Sequence, residues 1–205
     1  MRAASFAITA VCLSASLALA ADAPKFVPLF NGKNLDGWDG DPDLWHVENG
    51  VIIGSTEKKK IPTNSFLVTT RPYKNFVLKL KFKLGNHNSG VQFRSKLHKD
   101  HVVTGYQADI ADTGITGMLW DEEGRGQLQR MPEEKIAPHL HAGDWNEYVI
   151  TADGPHITMA INGFQVVDFT EKPGEGASEG IIALQLHTGT PMHVAFKDIE
   201  IAERP

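Results

Sequence analysis

Cysteine is almost absent from this chain of 205 residues, and the single one, Cys12, lies in an N-terminal segment with the features of a leader. That segment starts with Met1-Arg2, runs nearly uncharged, and ends in Ala18-Leu19-Ala20, which matches the small-x-small pattern of a cleavage site. We therefore expect a secretory signal peptide over residues 1–20, cleaved near Ala20, and a secreted or periplasmic protein. The mature form would have no cysteine, which excludes disulfides, thiolate nucleophiles and cysteine-based zinc sites.

Positive charge and long apolar runs are also scarce. Once Arg2 is removed with the leader, 19 basic residues stand against 25 acidic ones and no basic stripe emerges, so nucleic acid is not an expected partner. No second apolar stretch is long enough to cross a bilayer, so we expect no membrane span in the mature chain. Because no linker divides them, residues 24–205 are predicted to form one domain. The sequence leaves the oligomeric state open.

Several common catalytic motifs are missing too. The chain has no P-loop, dinucleotide fingerprint, nucleophile elbow or His-Glu-x-x-His motif. It also lacks a Glu-x-Asp-x-Glu strand, so glycoside hydrolysis by two paired carboxylates is not indicated. The histidine pairs His98/His101 and His139/His141 have spacings that are not diagnostic of a metal site. No cofactor is firmly indicated, and the use of a divalent metal is left open.

Short strands and turns dominate what the sequence does contain. Residues 76–84 alternate apolar and polar side chains, which predicts a half-buried antiparallel strand. Asn162-Gly163 predicts the turn of a β-hairpin. The alternating segment 194–201 is expected to pair with residues 26–30, and only residues 132–141 favour a turn or two of helix. The pattern predicts an all-β fold, a β-sandwich of two antiparallel sheets.

Three predicted strands each carry two large polar residues two positions apart. The pairs are Gln92 with Arg94, Gln107 with Asp109, and Gln185 with His187. Alternate residues of a strand point to the same face, so each pair should share a face, with its apolar neighbours on the other. We expect Arg94 to pair with Asp109, because an arginine buried at mid-strand needs a partner. His187 can also be a satisfied structural histidine.

Residues 119–126 combine an indole, three acids and an arginine directly after a strand. The residues of interest are Trp120, Asp121 and Glu122. An exposed charged turn is one interpretation. The other is a sugar-binding surface, since aromatic faces flanked by polar groups bind sugars.

Taken in order, several stretches of the chain resemble the 3-keto-disaccharide hydrolase domain family. They are LFNGKNLDGW (29–38), WHVENG (45–50), NSGVQFRS (88–95), GYQADI (105–110), LWDE (119–122), WNEY (145–148), ING (161–163) and GIIALQLH (180–187). The set covers nearly all of the mature chain. One departure is Trp120, where the family more often has tyrosine, which keeps a stacking ring but changes its polar tip. The resemblance implies a concanavalin-A-like jelly-roll β-sandwich.

The resemblance also implies chemistry on a sugar that carries a ketone at carbon 3. The ketone acidifies the hydrogen on carbon 2, a base removes it, the glycosidic oxygen on carbon 1 leaves, and water later adds. Under this hypothesis Asp109 or His187 is the base, and Arg94 stabilises the enolate oxygen.

The other candidates would bind the sugar. Asn88, Gln92, Gln107 and Gln185 are expected to hold hydroxyls, and Trp120 to stack on a ring. Either Asp121 or Glu122 would supply a second acid or bind a cation. The partner is then a carbohydrate, a 3-keto-glycoside, cleaved by a hydrolase or lyase. Two alternatives are a non-catalytic carbohydrate-binding module and a structural envelope protein that binds no sugar.

Overall fold

The computed structural model describes residues 24–99 and 102–205 of the chain. The predicted signal peptide with Cys12, and His101 of the histidine pairs, lie outside these residues. No helix in the described part is both long and apolar enough to cross a membrane.

The described part contains fifteen β-strands and one short helical segment. In chain order the strands are β1 (Val27–Pro28), β2 (Trp38–Asp39), β3 (Trp45–Glu48), β4 (Val51–Ser55), β5 (Ser65–Thr69), β6 (Phe76–Leu84), β7 (Asn88–Leu97), β8 (Val103–Ala111), β9 (Leu119–Glu122), β10 (Gly126–Gln129), β11 (Asn146–Asp153), β12 (His156–Ile161), β13 (Phe164–Thr170), β14 (Ile181–Leu186) and β15 (His193–Glu203). The helical segment joins α1 (Glu133–Ile136) to a 3-10 turn (Ala137–His139), inside the range predicted for it.

The strands form two antiparallel sheets, which confirms the predicted all-β sandwich. The larger sheet has the order β13-β12-β11-β6-β15-β4-β3, with β1 also paired to β15. The smaller sheet has the order β10-β9-β8-β7-β14-β5-β2. Strands β8, β7 and β14 are neighbours, so the three strands with paired polar residues lie side by side.

Local sequence patterns account for several elements of the larger sheet. In β6, Phe76, Leu78 and Leu80 are buried in the core while the lysines between the later apolar residues are only partly covered. The β12–β13 hairpin turns at Asn162 and Gly163, whose φ angles of 50° and 81° suit this dipeptide. The first and last strands pair as expected, with Val27 opposite Ile201.

The core lies between the two sheets, and the smaller sheet contributes its apolar alternate residues to it. These are Val91, Phe93, Tyr106, Ala108, Ile110, Leu184 and Leu186, and all are buried in one cluster. Their polar neighbours in sequence therefore point to the opposite, outer face of the smaller sheet.

Arg94 is the exception to this alternation. A β-bulge interrupts the pairing of β7 with β8 between Phe93 and Lys96, and Arg94 has a left-handed φ of 47°. A bulge adds one residue to a strand and shifts the alternation beyond it. Ser95 therefore takes the position on the polar face predicted for Arg94, and its Oγ donates a hydrogen bond to Gln92 Oε1 over 2.8 Å.

The guanidinium of Arg94 is engaged away from the polar face. Its Nε donates to the backbone oxygen of Lys74 (2.7 Å), Nη1 to that of Gly154 (2.7 Å), and Nη2 to Asn75 Oδ1 (3.0 Å). Gly154 belongs to the turn between β11 and β12, so Arg94 ties the smaller sheet to the larger one. The expected ion pair with Asp109 is wrong, and the donors assigned to an enolate oxygen serve backbone and amide acceptors instead.

We predict that Arg94→Ala lowers the free energy of unfolding by about 2–4 kcal/mol, because it strips hydrogen bonds from the carbonyls of Lys74 and Gly154. Urea denaturation followed by circular dichroism measures this loss. The matched control is Arg204→Ala, which breaks the exposed ion pair with Asp153 and should cost less than about 1 kcal/mol. Equal losses for the two variants would contradict a structural role for Arg94.

Candidate functional site

Seven of the ten predicted site residues line one cavity on the outer face of the smaller sheet. The cavity has a volume of about 270 Å³ and is lined by Asn88, Gln107, Asp109, Ile115, Met118, Trp120, Glu122, Gln185 and His187. We call it the Asp109 cavity.

Strand register explains why these residues meet. Gln107 on β8 lies between Gln92 on β7 and Trp120 on β9. Asp109, two residues along, lies opposite Gly90. Strand β14 adds Gln185 from the other side of β7. Four neighbouring strands thus bring alternate polar residues to one place on the sheet.

A directional set of hydrogen bonds runs along this face and ends at Asp109. Ser95 Oγ donates to Gln92 Oε1, Gln92 Nε2 donates to Gln107 Oε1 (2.7 Å), and Gln107 Nε2 donates to Asp109 Oδ1 (2.6 Å). We call Ser95, Gln92 and Gln107 the amide chain. Because each glutamine amide both donates and accepts, both amides are fixed in orientation and Asp109 Oδ1 is held in place.

Gly90 makes room for the amide chain. A Cβ atom at this position would lie 2.6 Å from Cδ and 2.7 Å from Cγ of Gln107, closer than carbon atoms can approach. The missing side chain therefore lets Gln107 lie across β7 and reach both Gln92 and Asp109.

Asp109 carries the most unusual electrostatics of the cavity. Only 3% of the residue is exposed, and this burial is the main cause that raises its pKa to about 7. The charge of Glu122 raises the pKa further, and the hydrogen bond from Gln107 opposes the shift. Gln107 occupies Oδ1, whereas Oδ2 makes no hydrogen bond to any described residue. Asp109 can therefore hold or release a proton near neutral pH.

Glu122 is the second carboxyl of the cavity. Burial raises its pKa, while the hydrogen bond from Asn64 and the nearby His187 lower it. Asn64 Nδ2 donates to Glu122 Oε1 over 3.2 Å, and its Oδ1 accepts the Thr188 N–H over 2.9 Å. Asn64 thus links Glu122 to the loop after β14. Sequence reasoning missed Asn64, because a lone asparagine before a strand carries no signal of such a contact.

His187 lies at the end of β14 with one ring nitrogen fixed. Its Nδ1 is 2.7 Å from the Thr188 carbonyl oxygen. A carbonyl oxygen only accepts hydrogen bonds, so Nδ1 carries the proton and Nε2 keeps its lone pair in the neutral ring. The ring of His87 packs edge-on against His187, with centroids 5.1 Å apart. Sequence reasoning also missed His87, since no local pattern joins it to a residue so distant in the chain.

Two amide oxygens at the cavity have no protein partner. Asn88 Oδ1 and Gln185 Oε1 are buried and accept no hydrogen bond from the described residues. Gln185 as a whole is only 1% exposed. A buried acceptor without a donor is costly, so these oxygens suit a ligand that brings hydroxyl donors.

The cavity has two acidic side chains, Asp109 and Glu122. Of the residues that the structure describes, no lysine or arginine lines it. Nor does any group of three or more His, Asp or Glu side chains in residues 24–99 and 102–205 have the arrangement of a metal site. A cation bound here would depend on the carboxylates of Asp109 and Glu122 and on the two unpartnered amide oxygens.

A comparison with known protein families assigns the chain to one of them. The 3-keto-alpha-glucoside-1,2-lyase-like domain family matches residues 25–202. The chain belongs to this family. The match confirms the resemblance found in the sequence and gives the protein a carbohydrate-related function. No curated protein sequence matches the chain.

Several solved structures share the fold of this chain. A candidate glycosyl hydrolase from Parabacteroides distasonis superposes with a TM-score of 0.64 at 22% identity, over 88% of this chain and 94% of its own. The carbohydrate-binding module CBM66 from Bacillus subtilis superposes with a TM-score of 0.60 at 16% identity, over 82% of this chain and 96% of its own. The Bacillus licheniformis β-glucanase superposes with a TM-score of 0.59 at 12% identity, over 90% of this chain and 100% of its own. These likenesses show the fold alone, and they confirm the jelly-roll sandwich.

Three of the ten residues predicted to form the site do not line the Asp109 cavity. Gln92 is fully buried within the amide chain. Arg94 and Asp121 line a neighbouring, wider cavity of about 790 Å³ that shares Glu122 with it.

Asp121 alternates away from Trp120 and Glu122 and pairs with Arg125, whose Nε is 2.6 Å from Asp121 Oδ2. Arg125 also donates to both carboxylate oxygens of Glu171, and this lowers the pKa of Glu171 to about 2. Tyr106 donates to the same carboxylate over 2.6 Å. Asp121 is thus part of an ion-pair cluster that anchors the β9–β10 hairpin, rather than a second acid of the cavity.

We predict that Gly90→Ala raises the pKa of Asp109 above about 7. The new Cβ would push Gln107 aside and remove the hydrogen bond that lowers this pKa. Titration of the Asp109 carboxyl carbon by NMR measures the shift. In the control, Gly85→Ala, the atoms nearest the new Cβ belong to the ring of the half-exposed His193, so the Asp109 titration should be unchanged. A Gly90→Ala protein that titrates like the wild type would show that Gln107 does not govern Asp109.

Proposed function

We propose that this protein cleaves 3-keto-glycosides by removing the proton on carbon 2 and expelling the oxygen on carbon 1. Family membership supports the substrate class. The single observation that carries the mechanism is the buried carboxyl of Asp109, with a pKa of about 7, in one cavity with His187 and Glu122.

His187 serves as the base. The Thr188 carbonyl holds the proton on Nδ1, so Nε2 presents a lone pair. A base in this reaction takes the proton from carbon 2 of the sugar, which the neighbouring ketone has made acidic. His187 lines the cavity and has the free ring nitrogen that the step needs.

Asp109, in its protonated form, takes the role that the sequence suggested for Arg94. A carboxylic acid that burial keeps neutral can donate a hydrogen bond to an oxyanion. Gln107 binds Oδ1 of Asp109, and Oδ2 is left to carry the proton and donate it toward the ketone oxygen. Donation strengthens as negative charge develops on that oxygen, so it favours the transition state over the bound substrate.

Glu122 supplies the proton for the leaving group. Burial raises its pKa, which favours the protonated form that an acid catalyst needs. As the bond between carbon 1 and the glycosidic oxygen breaks, the proton of Glu122 passes to that oxygen. His187 then holds the carbon 2 proton, and the sugar has a double bond between carbons 1 and 2.

Water completes the reaction by the reverse steps. Glu122, now a carboxylate, takes a proton from water as the hydroxyl adds to carbon 1. His187 returns its proton to carbon 2, so both groups regain their starting states and the net change is hydrolysis. Release of the unsaturated sugar before water adds would make the protein a lyase.

Binding groups complete the proposal. Trp120 offers an aromatic face for the sugar ring. The unpartnered oxygens of Asn88 and Gln185 would accept hydrogen bonds from sugar hydroxyls, and binding would then satisfy two buried acceptors that the free protein leaves unpaired.

The role of Glu122 predicts a dependence on the leaving group. Glu122→Gln should lower kcat on a 3-keto-disaccharide by about 100-fold or more, because the departing alkoxide then lacks a proton donor. A nitrophenyl 3-keto-glucoside should lose much less, since nitrophenolate leaves without protonation. Release of reducing sugar and of nitrophenol measures the two rates, and the exposed neighbour provides the control Glu123→Gln.

Equal losses on both substrates would remove Glu122 from this role. Wild-type protein that binds the keto-sugar saturably but releases no product would instead favour the carbohydrate-binding module. Absence of both binding and turnover would favour a structural protein.

The role of Asp109 predicts the sign of a pH dependence. If its protonated form is the donor, kcat should fall as the pH rises through about 7, because the group loses its proton there. Asp109→Asn keeps a donor on the side chain, so it should retain part of the activity and lose this alkaline limb. If Asp109 were the base, kcat would rise through the same range and the asparagine variant would be inactive. Profiles of kcat against pH for both proteins decide between these roles.

A further inference from the structure

His87 has a left-handed backbone conformation, which is uncommon outside glycine although histidine adopts it more often than most residues. Its φ is 71°, in the left-handed region that residues other than glycine rarely adopt. Asp112 holds this conformation from both sides, because its Oδ2 accepts the His87 N–H over 2.7 Å and its own N–H donates to the His87 carbonyl over 3.1 Å. Strain that the surroundings maintain in this way clusters at functional sites.

Burial of the side chain does not account for the strain. His87 is only partly buried and does not belong to the hydrophobic core. Glycine would adopt the same φ without cost, so the turn alone does not require a histidine. The contacts of the ring are what distinguish histidine from glycine at this position.

The ring of His87 contacts the part of the protein that holds His187. Its Nε2 lies 3.1 Å from the Thr188 carbonyl oxygen, the same atom that accepts the hydrogen bond from His187 Nδ1. The two rings also meet edge to face, at an interplanar angle of 86°. A carbonyl oxygen has two lone pairs and can accept from both rings at once.

This arrangement restricts His187 in two ways. The packed ring of His87 limits rotation of the His187 imidazole, and the hydrogen bond from His87 fixes the carbonyl that selects the proton position on His187. By setting the tautomer of the His187 ring, His87 would affect the reaction without touching the substrate.

We propose that His87 is a positioning residue that keeps the proton of His187 on Nδ1 and its Nε2 free toward the Asp109 cavity. The inference rests on the proposed role of His187 as the base.

The test uses three substitutions at one position in the full chain. His87→Gly removes the ring and relieves the strained φ, and His87→Ala removes the ring and keeps the strain. His87→Gln can still direct an amide N–H at Thr188. His156→Ala, at an exposed histidine paired with Asp168, is the control. The readouts are the 15N shifts of the His187 ring, assigned with His187→Gln, the melting temperature, and kcat and KM on a 3-keto-disaccharide.

We expect the wild-type His187 ring to be protonated on Nδ1 in its neutral form, and both the glycine and alanine variants to show a mixture of the two tautomers. Their kcat should fall by about 10-fold or more with a smaller change in KM. His87→Gln should restore the Nδ1 form and most of kcat. His87→Gly should melt at a higher temperature than His87→Ala, because it relieves the strained φ. An equal fall in kcat in these two variants of different stability would show that the loss of activity does not follow a loss of folding.

An unchanged His187 spectrum in the glycine and alanine variants would overturn the inference, whatever their activity. The spectra do not depend on turnover. If they shift as expected while wild-type protein cleaves no keto-sugar, the positioning role stands and the proposed function fails.

Discussion

The burial of the Asp109 carboxyl is the physical constraint on which the site depends. It raises the pKa of this group from an ordinary 3.8 to about 7. A rise of this size disfavours the charged form by about 4 kcal/mol in the folded protein, since a tenfold change in proton affinity corresponds to about 1.4 kcal/mol. For an acid with a raised pKa, the unfolded chain loses its proton first as the pH rises. The free energy of unfolding therefore declines between about pH 4 and 7, and the whole of this loss is present above that range. The fold tolerates this cost at the position where the proposed mechanism needs a neutral carboxyl.

Surroundings, rather than residue type, give the carboxyls of Asp109 and Glu171 opposite pKa shifts. Glu171 is also largely buried, but Arg125 and Tyr106 donate to its two oxygens and its pKa falls to about 2. Asp109 receives one neutral hydrogen bond from Gln107 and faces the like charge of Glu122. Glu171, whose charge is paired with Arg125, anchors the β9–β10 hairpin. Asp109, whose charge has no such partner, remains able to exchange a proton. Because the hairpin carries Trp120 and Glu122, the structural ion pair also supports the site.

Much of this protein follows from local sequence patterns. Alternation in residues 76–84, the Asn162-Gly163 turn and the polar pairs on β7, β8 and β14 predicted a sandwich whose smaller sheet has one polar face. These predictions hold because strand periodicity and turn chemistry depend on neighbouring residues. The same alternation placed Gln107, Asp109, Gln185 and His187 together. Arg94 was misplaced because a bulge adds a residue without a clear sequence signal, and Asp121 because alternation along β9 points it away from Trp120 and Glu122.

The sequence alone determined the fold class, the family and most of the residues on the polar face, since each depends on patterns within a few positions or on ordered motifs. Only the tertiary structure decided which of those side chains can do chemistry. The raised pKa of Asp109, the two unpartnered amide oxygens and the contacts of Asn64 and His87 all depend on atoms from strands and loops far apart in the chain. Burial and hydrogen-bond geometry arise only when the sheets pack, so no local pattern of residues encodes them.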